Sequence, residues 1–221
     1  MLARVLEPEV MDTPDDARDY DEMDHSAVNA TFAADFLARW DGRNPALDVG
    51  TGTAQIPIEL CRQSPAIRVV AVDLADEMIA LARRNVERAG LADRVQLTVI
   101  DAKGLPYPPG SFGAVVSNSI IHHVPEPLPV FAGMHAVCAD GGLIFVRDLF
   151  RPPDEETLQR LVATYAAGCN PHQTKLFADS LRAALTVEEV RDRVAQLGYA
   201  PEAVRATSDR HWTFAAVRPA R

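Results

Sequence analysis

The stretch ALDVGTGTAQIPIEL, Ala46 to Leu60, constrains this chain more than any other feature. A short apolar run enters the turn Gly50-Thr51-Gly52 and continues directly into a stretch with helical spacing. Glycine suits such a turn because a side chain would keep the backbone away from a ligand, and because the turn can require positive φ. A dinucleotide-binding turn needs a third glycine where this chain has Gln55, so the motif argues against NAD or FAD.

Around this element the sequence alternates β-branched runs with helical stretches, an α/β pattern. Strands are expected at Ala46 to Val49, Arg68 to Val72, Val95 to Val99, Ala114 to Ser117 and Gly142 to Arg147. Their nearly unbroken apolar character is that of parallel strands covered on both faces. Helices are expected at Gln55 to Gln63, Asp76 to Ala89 and Leu128 to Cys138, the second stopped by Gly90. A helix from Thr186 to Gly198, with Val190, Val194 and Leu197 on its inner side, precedes two last strands near Ala203 to Thr207 and Trp212 to Val217.

Two regions fall outside this core. Glu7 to His25 holds nine acidic residues against one basic residue, Arg18, and reads equally as a disordered tail or an ordered lid. Ser26 to Trp40 is an amphipathic helix with Phe32, Phe36 and Leu37 on one face. We therefore divide the chain into residues 1–44, an acidic segment and helix, and residues 45–221, the main domain. Within the latter, residues 151–185, broken at Gly168 and Asn170-Pro171, form a helical insert expected to cover the active site.

With 221 residues, 48% of them hydrophobic, the chain can bury one generous core. Acidic residues outnumber basic ones 31 to 22, and the net charge of -9 disfavours nucleic acid and anionic membranes as partners. The N-terminal residues lack the layout of a secretion signal, so a cytoplasmic location is expected. Cys61, Cys138 and Cys169 form no CxxC pair and read as reduced thiols packed as small hydrophobes. No sequence spacing suggests metal ligands, so no metal is expected.

Two further strand ends carry chemistry. Asp73 ends VVAVDLADEM, where a carboxylate offers two oxygens to adjacent ribose hydroxyls; its alternative role, capping the next helix, suits Asp76 better. Asp101-Ala102 follows the third strand, where a carboxylate can accept from an exocyclic adenine amine and a backbone amide can meet a ring nitrogen.

This ordered set resembles the class I S-adenosylmethionine-dependent methyltransferases of the small-molecule type, over about Ala46 to Arg147. The resemblance implies a doubly wound, Rossmann-like, seven-stranded mostly parallel sheet with helices on both faces and the last strand antiparallel. It implies S-adenosyl-L-methionine as cofactor, S-adenosyl-L-homocysteine as product, and in-line methyl transfer to an O, N or S atom of a small-molecule acceptor. Gly50, Thr51 and Gly52 would meet the methionine part and Asp48 its amino group. Asp73 would hold the ribose, Leu74 and Met78 would flank the adenine, and Asp101 with Ala102 would read its edge. In VVSNSIIHHVPEP, Asn118 would border the reacting methyl, and His122 would stand near the acceptor as general base. Packing of the loop before Pro125 is an equally weighted role for that histidine. Tyr20 resembles the tyrosine that related enzymes place over the site. Arg147-Asp148 reads as an acceptor contact or a structural pair, and Tyr165, His172, Gln173, Lys175 and Phe177 receive no individual roles. The oligomeric state stays open. Two rivals are a nicotinamide oxidoreductase on a similar sheet and a catalytically idle cofactor-binding protein.

Overall fold

The computed structural model describes residues 2–7 and 13–220. Seven strands form one sheet in the order β3-β2-β1-β4-β5-β7-β6. They are β1 (Ala46–Val49), β2 (Val69–Asp73), β3 (Val95–Val99), β4 (Phe112–Asn118), β5 (Cys138–Leu149), β6 (Val204–Ala206) and β7 (His211–Val217). β1 pairs parallel with β2 and β4, and β2 with β3, while β6 and β7 pair antiparallel, as expected for this sheet. The chain divides into two contact units, and β5 and β7 each pass through both.

The larger unit comprises residues 11–118, 128–146 and 215–221. It holds α1 (Pro14–Glu22), α2 (Ser26–Leu37), α3 (Gln55–Gln63), α4 (Asp76–Arg88) and α5 (Leu128–Val137). Every residue of β1 is buried, as are all but the last of β4. Because side chains alternate across a strand, such burial means cover on both faces, which explains the apolar runs. On α4 the buried residues are Met78, Ile79, Ala82, Asn85 and Val86, the three- and four-residue spacing of one helical face. Gly90 takes φ +68 just beyond its end, the left-handed conformation that stops a helix where glycine carries no steric penalty.

Helix α2 contributes Phe32 and Phe36, which meet Phe145 of β5 edge-on at centroid distances of 5.2 and 6.0 Å. Each fully buried ring of this kind stabilises the fold by roughly 1.5–3 kcal/mol. The helix runs to Leu37 and not to Trp40, whose ring stacks on Phe36 at 6.4 Å. Of the acidic stretch, α1 is helical and buries Ala17, while residues 8–12 lie outside the described residues.

The smaller unit comprises residues 1–10, 119–127 and 147–214. It holds α6 (Glu155–Tyr165), α7 (Pro171–Ala183) and α8 (Val187–Gln196). Asn170 caps α7 and Thr186 caps α8; in each case the cap and the residue three positions on, Gln173 or Glu189, exchange hydrogen bonds. Leu149, Leu158, Leu161, Leu181 and Ala184 form its apolar centre, with Leu2 and Phe177 packed against them. Among the described residues no helix is long and apolar enough to cross a membrane. Cys61 and Cys138 are buried free thiols as expected, and Cys169 is only half-buried.

Candidate functional site

Within the larger unit, β1, β2 and β3 lie side by side in parallel register, Val49 opposite Val72 and Asp73 opposite Val99. Their carboxyl ends therefore share one edge of the sheet. Gly50, Asp73 and Asp101 sit at or just past those ends. β1 is flanked by β2 on one side and β4 on the other, so the strand order reverses here. Open α/β sheets place ligands outside the carboxyl ends of strands at such a switch point.

The turn after β1 has a left-handed backbone at Gly50 (φ +73), Gly52 (φ +53) and Ala54 (φ +64). The amides of Gly50 and Thr51 both donate to the Val72 carbonyl, at 2.8 and 2.9 Å, tying the turn to β2. Asp73 completes the tie: its Oδ2 accepts from the Gly52 amide at 2.7 Å and its Oδ1 from the Ala75 amide at 3.0 Å. Asp76 does not cap α4, because Ala75 occupies the N-cap and Asp76 is already helical. Asp73 is thus the residue bonded to the loop entering that helix.

Asp48 is the electrostatic centre of this turn. It is fully buried in the middle of β1, and its Oδ2, like the hydroxyls of Thr51 and Thr53, has no hydrogen-bond partner among the described residues. Burial pushes its carboxyl up to about 7, with neighbouring Asp73 adding to the rise. A buried carboxyl without a full set of partners is costly unless a cationic donor completes it. An ammonium group beside the glycine turn matches that requirement.

The remaining predicted contacts occupy the same unit. Tyr20, on α1, packs with Ala17, Ala75 and Met78, and its Cε1 lies 3.5 Å from the point where a Gly52 side chain would begin. Met78 is buried and Leu74 exposes 39% of its surface, so only Leu74 presents a broad apolar face to solvent. Asp101 is half-exposed, caps a 3-10 turn starting at Ala102 by accepting from the Lys103 amide at 2.8 Å, and pairs with Lys103 Nζ at 3.5 Å. Asn118 ends β4, followed by Ser119 at φ +61. Gln55, where a dinucleotide motif requires glycine, takes a bond from Asn29 at 3.2 Å and donates to Asp21 at 3.3 Å, bridging α3 to α2 and α1. That polar bridge is incompatible with the backbone approach a third glycine would serve.

The smaller unit contains a second constellation around His122. The residue lies on a short 3-10 turn, Ile121–His123, and is buried. Its Nδ1 lies 2.6 Å from Oδ1 of Asp148, a fully buried carboxylate that also accepts from the amides of Ile121 and His122, at 2.6 and 3.1 Å. Nε2 faces Glu7 Oε1 at 3.5 Å, and His123 Nδ1 reaches the same oxygen at 3.2 Å. Burial alone would lower the His122 pKa, but Asp148, through charge and hydrogen bond, and Glu7 raise it. Burial likewise opposes ionisation of Asp148, and the His122 partner outweighs it to hold that carboxyl low. Burial raises Glu7, with His122 and Ser180 pulling the other way.

Asp148 therefore serves His122, while Arg147 turns its Nε to the Thr213 hydroxyl at 2.9 Å. A charged residue directly after an apolar strand was the available signal for Asp148. Glu7 had no signal: it lies in an acidic run, remote in sequence from the histidines. The insert residues mostly have structural tasks. Tyr165 donates to Asp209 at 2.7 Å beneath the Arg210 guanidinium, Lys175 pairs with Asp179, Gln173 closes a cap and Phe177 packs on the leucine cluster.

Fold and turn together define an α/β protein with a left-handed glycine turn at the carboxyl edge of its sheet, beside the point where the strand order reverses. Residues 46–142 match the family model described as a methyltransferase domain. The chain is 27% identical to the ubiquinone/menaquinone biosynthesis C-methyltransferase UbiE of Geobacter sulfurreducens, over 80% of this chain and 70% of the relative. It is 36% identical to the phosphatidylethanolamine N-methyltransferase of Cereibacter sphaeroides, over 47% of this chain and 50% of that one. A SAM-dependent methyltransferase from Aquifex aeolicus shares the fold, with a TM-score of 0.66 at 17% identity, over 93% of this chain and 98% of the other. The family match thus covers residues 46–142, the part of the chain that holds the glycine turn and the ends of β1 to β4.

Proposed function

We propose that this protein transfers the methyl group of S-adenosylmethionine to an O, N or S atom of a small-molecule acceptor. The observation that carries the reading is Asp48, a buried carboxyl with an unpartnered oxygen beside a left-handed glycine turn. In this reading Asp48 and Thr51 hold the cofactor's amino group, and the backbone of Gly50 to Gly52 meets its methionine part. Asp73 takes the ribose hydroxyls, Leu74 and Met78 flank the adenine, Asp101 and Ala102 read its edge, and Asn118 borders the reacting group. The contact of Tyr20 with the turn supports α1 as a lid over that end of the cradle.

When bound, S-adenosylmethionine supplies a methyl group already activated by the sulfonium charge. The chain's own contribution is then orientation and exclusion of water, with proton removal needed only for an acceptor that arrives protonated. His122 is our candidate for that step. Asp148 fixes the proton on Nδ1, leaving Nε2 as the basic atom. The relatives' names include a C- and an N-methyltransferase, so the attacking atom is a property of the acceptor and not of the fold. The net charge of -9 supports a small molecule over nucleic acid or anionic lipid, and we infer a cytoplasmic location.

The test is a screen of metabolite fractions with methyl-labelled cofactor. Label transferred to a small molecule, and lost in Asp73→Ala, supports the reading. Cofactor binding without any transfer would support an idle binding protein instead.

A further inference from the structure

We propose that Glu7, His122 and His123 form a binding site for one divalent transition-metal ion of the zinc class, a site that goes beyond the methyl-transfer reading. The three ligand atoms, Glu7 Oε1, His122 Nε2 and His123 Nδ1, all lie within 4.8 Å of one another. The two distances from the carboxylate oxygen, 3.5 Å to His122 and 3.2 Å to His123, are those of neighbouring ligands around a tetrahedral ion. Bonds of about 2.0–2.1 Å to such an ion put its ligands about 3.3–3.4 Å apart.

Three features fit a metal site better than a bare ion pair. Asp148 holds the Nδ1 side of His122 at 2.6 Å, which directs the Nε2 lone pair to the cluster. Histidine ligands are commonly supported by a carboxylate in this way. Glu7 is not carried by a loose end. Arg4, three residues before it, donates to the carbonyls of Val124, Pro125 and Ala183 at 2.9, 3.0 and 2.6 Å, and the Val5 amide bonds Arg182 at 3.1 Å. Ser180 Oγ, at 3.2 and 3.3 Å from the two Glu7 oxygens, orients the carboxylate. Finally, the Glu7 side chain is only 8% exposed and that of His122 only 5%. Burial of an acid with two imidazoles favours a partner that satisfies all three at once.

Three protein ligands leave a fourth position for water or for a deprotonated oxygen or sulfur of a small ligand. An ion there lowers the pKa of what it binds. In the metal-bound protein His122 Nε2 is a ligand, so the base role proposed above belongs to the metal-free protein alone.

The test strips the full-length protein with chelator and titrates it with zinc against a chromophoric competitor. Cobalt titration, read by the visible absorption of tetrahedral Co²⁺, provides a second measure. Glu7→Gln and His123→Asn are the variants, each checked for folding by circular dichroism. One ion per wild-type chain, bound at least tenfold more weakly by each folded variant, is the expected result. No binding by wild type, or unchanged affinity in either folded variant, overturns the site. Calorimetric cofactor binding by the stripped protein keeps this outcome separate from that of the methyl-transfer reading.

Discussion

Asp73 Oδ2 accepts the Gly52 amide at 2.7 Å, so a carboxylate at the end of β2 fixes the conformation of the glycine turn that follows β1. One residue thereby links the glycine turn to the loop that enters α4, in the cradle proposed above.

Asp73→Ala removes both tasks. Loss of charge-assisted bonds of about 1.5–3 kcal/mol predicts a roughly ten- to hundred-fold weaker affinity for S-adenosylmethionine. Because the Gly52 and Ala75 amides also lose their acceptor, thermal unfolding should show a stability loss of about 1–3 kcal/mol. Unchanged affinity in a folded variant would remove Asp73 from the site.

Asp48 carries a stability cost that the proposed cofactor contact would offset. Its carboxyl rises from 3.8 in the unfolded chain to about 7 in the fold. Between those values the unfolded chain releases a proton that the folded protein retains, so stability falls as pH rises through this window. The full effect, reached above the upper value, is of order 4 kcal/mol. Asp48→Asn should therefore be more stable than wild type without cofactor, by an amount that grows between about pH 5 and pH 7.5. Its cofactor affinity should fall at least roughly tenfold. Denaturant melts across pH, paired with calorimetry, check both signs; a variant less stable at neutral pH contradicts the account.

His211 sets an acid limit. Burial, with Arg210 nearby, lowers it from 6.5 to about 4. Above the unfolded value both states are neutral. On acidification the unfolded chain takes up the proton first, so stability is lost as pH falls from 6.5 towards 4. The loss is at most about 3 kcal/mol and is reduced by partial exposure of the ring. His211→Gln should show a shallower decline over that range in urea melts, and an identical decline would assign the acid sensitivity elsewhere.

His122→Ala should lower turnover by about a hundredfold with an acceptor that must lose a proton. Cofactor affinity should stay within about twofold of wild type, since the proposed cradle residues lie elsewhere in the chain. Asp148→Asn, which loses the partner of Nδ1, should follow in the same direction. Turnover equal to wild type in His122→Ala would defeat the role proposed for this residue.

The central strands were legible because local pattern and tertiary burial agree: β1 begins and ends at Ala46 and Val49 as read from the sequence. β5 was read too short. Its first residues, Cys138 to Gly141, include Asp140 and a glycine and resemble a turn, yet Arg43 donates to the Asp140 and Gly141 carbonyls and Arg218 to that of Cys138. Those bonds come from distant parts of the chain, so no local window reveals them. The same limit hid Glu7. The Gly50, Asp73 and Asp101 positions were readable because the order of strand ends in a parallel sheet follows the order of the sequence, whereas the Glu7, His122 and Asp148 grouping depends on a return of the chain that no periodicity encodes.

Calorimetric titration of the full chain with S-adenosylhomocysteine and, separately, with NAD tests the cradle most directly. The account predicts one saturable site for the sulfur nucleoside, weakened in Asp73→Ala, and no heat with NAD. Saturable NAD binding, or no binding of the sulfur nucleoside by folded wild-type protein, would contradict it.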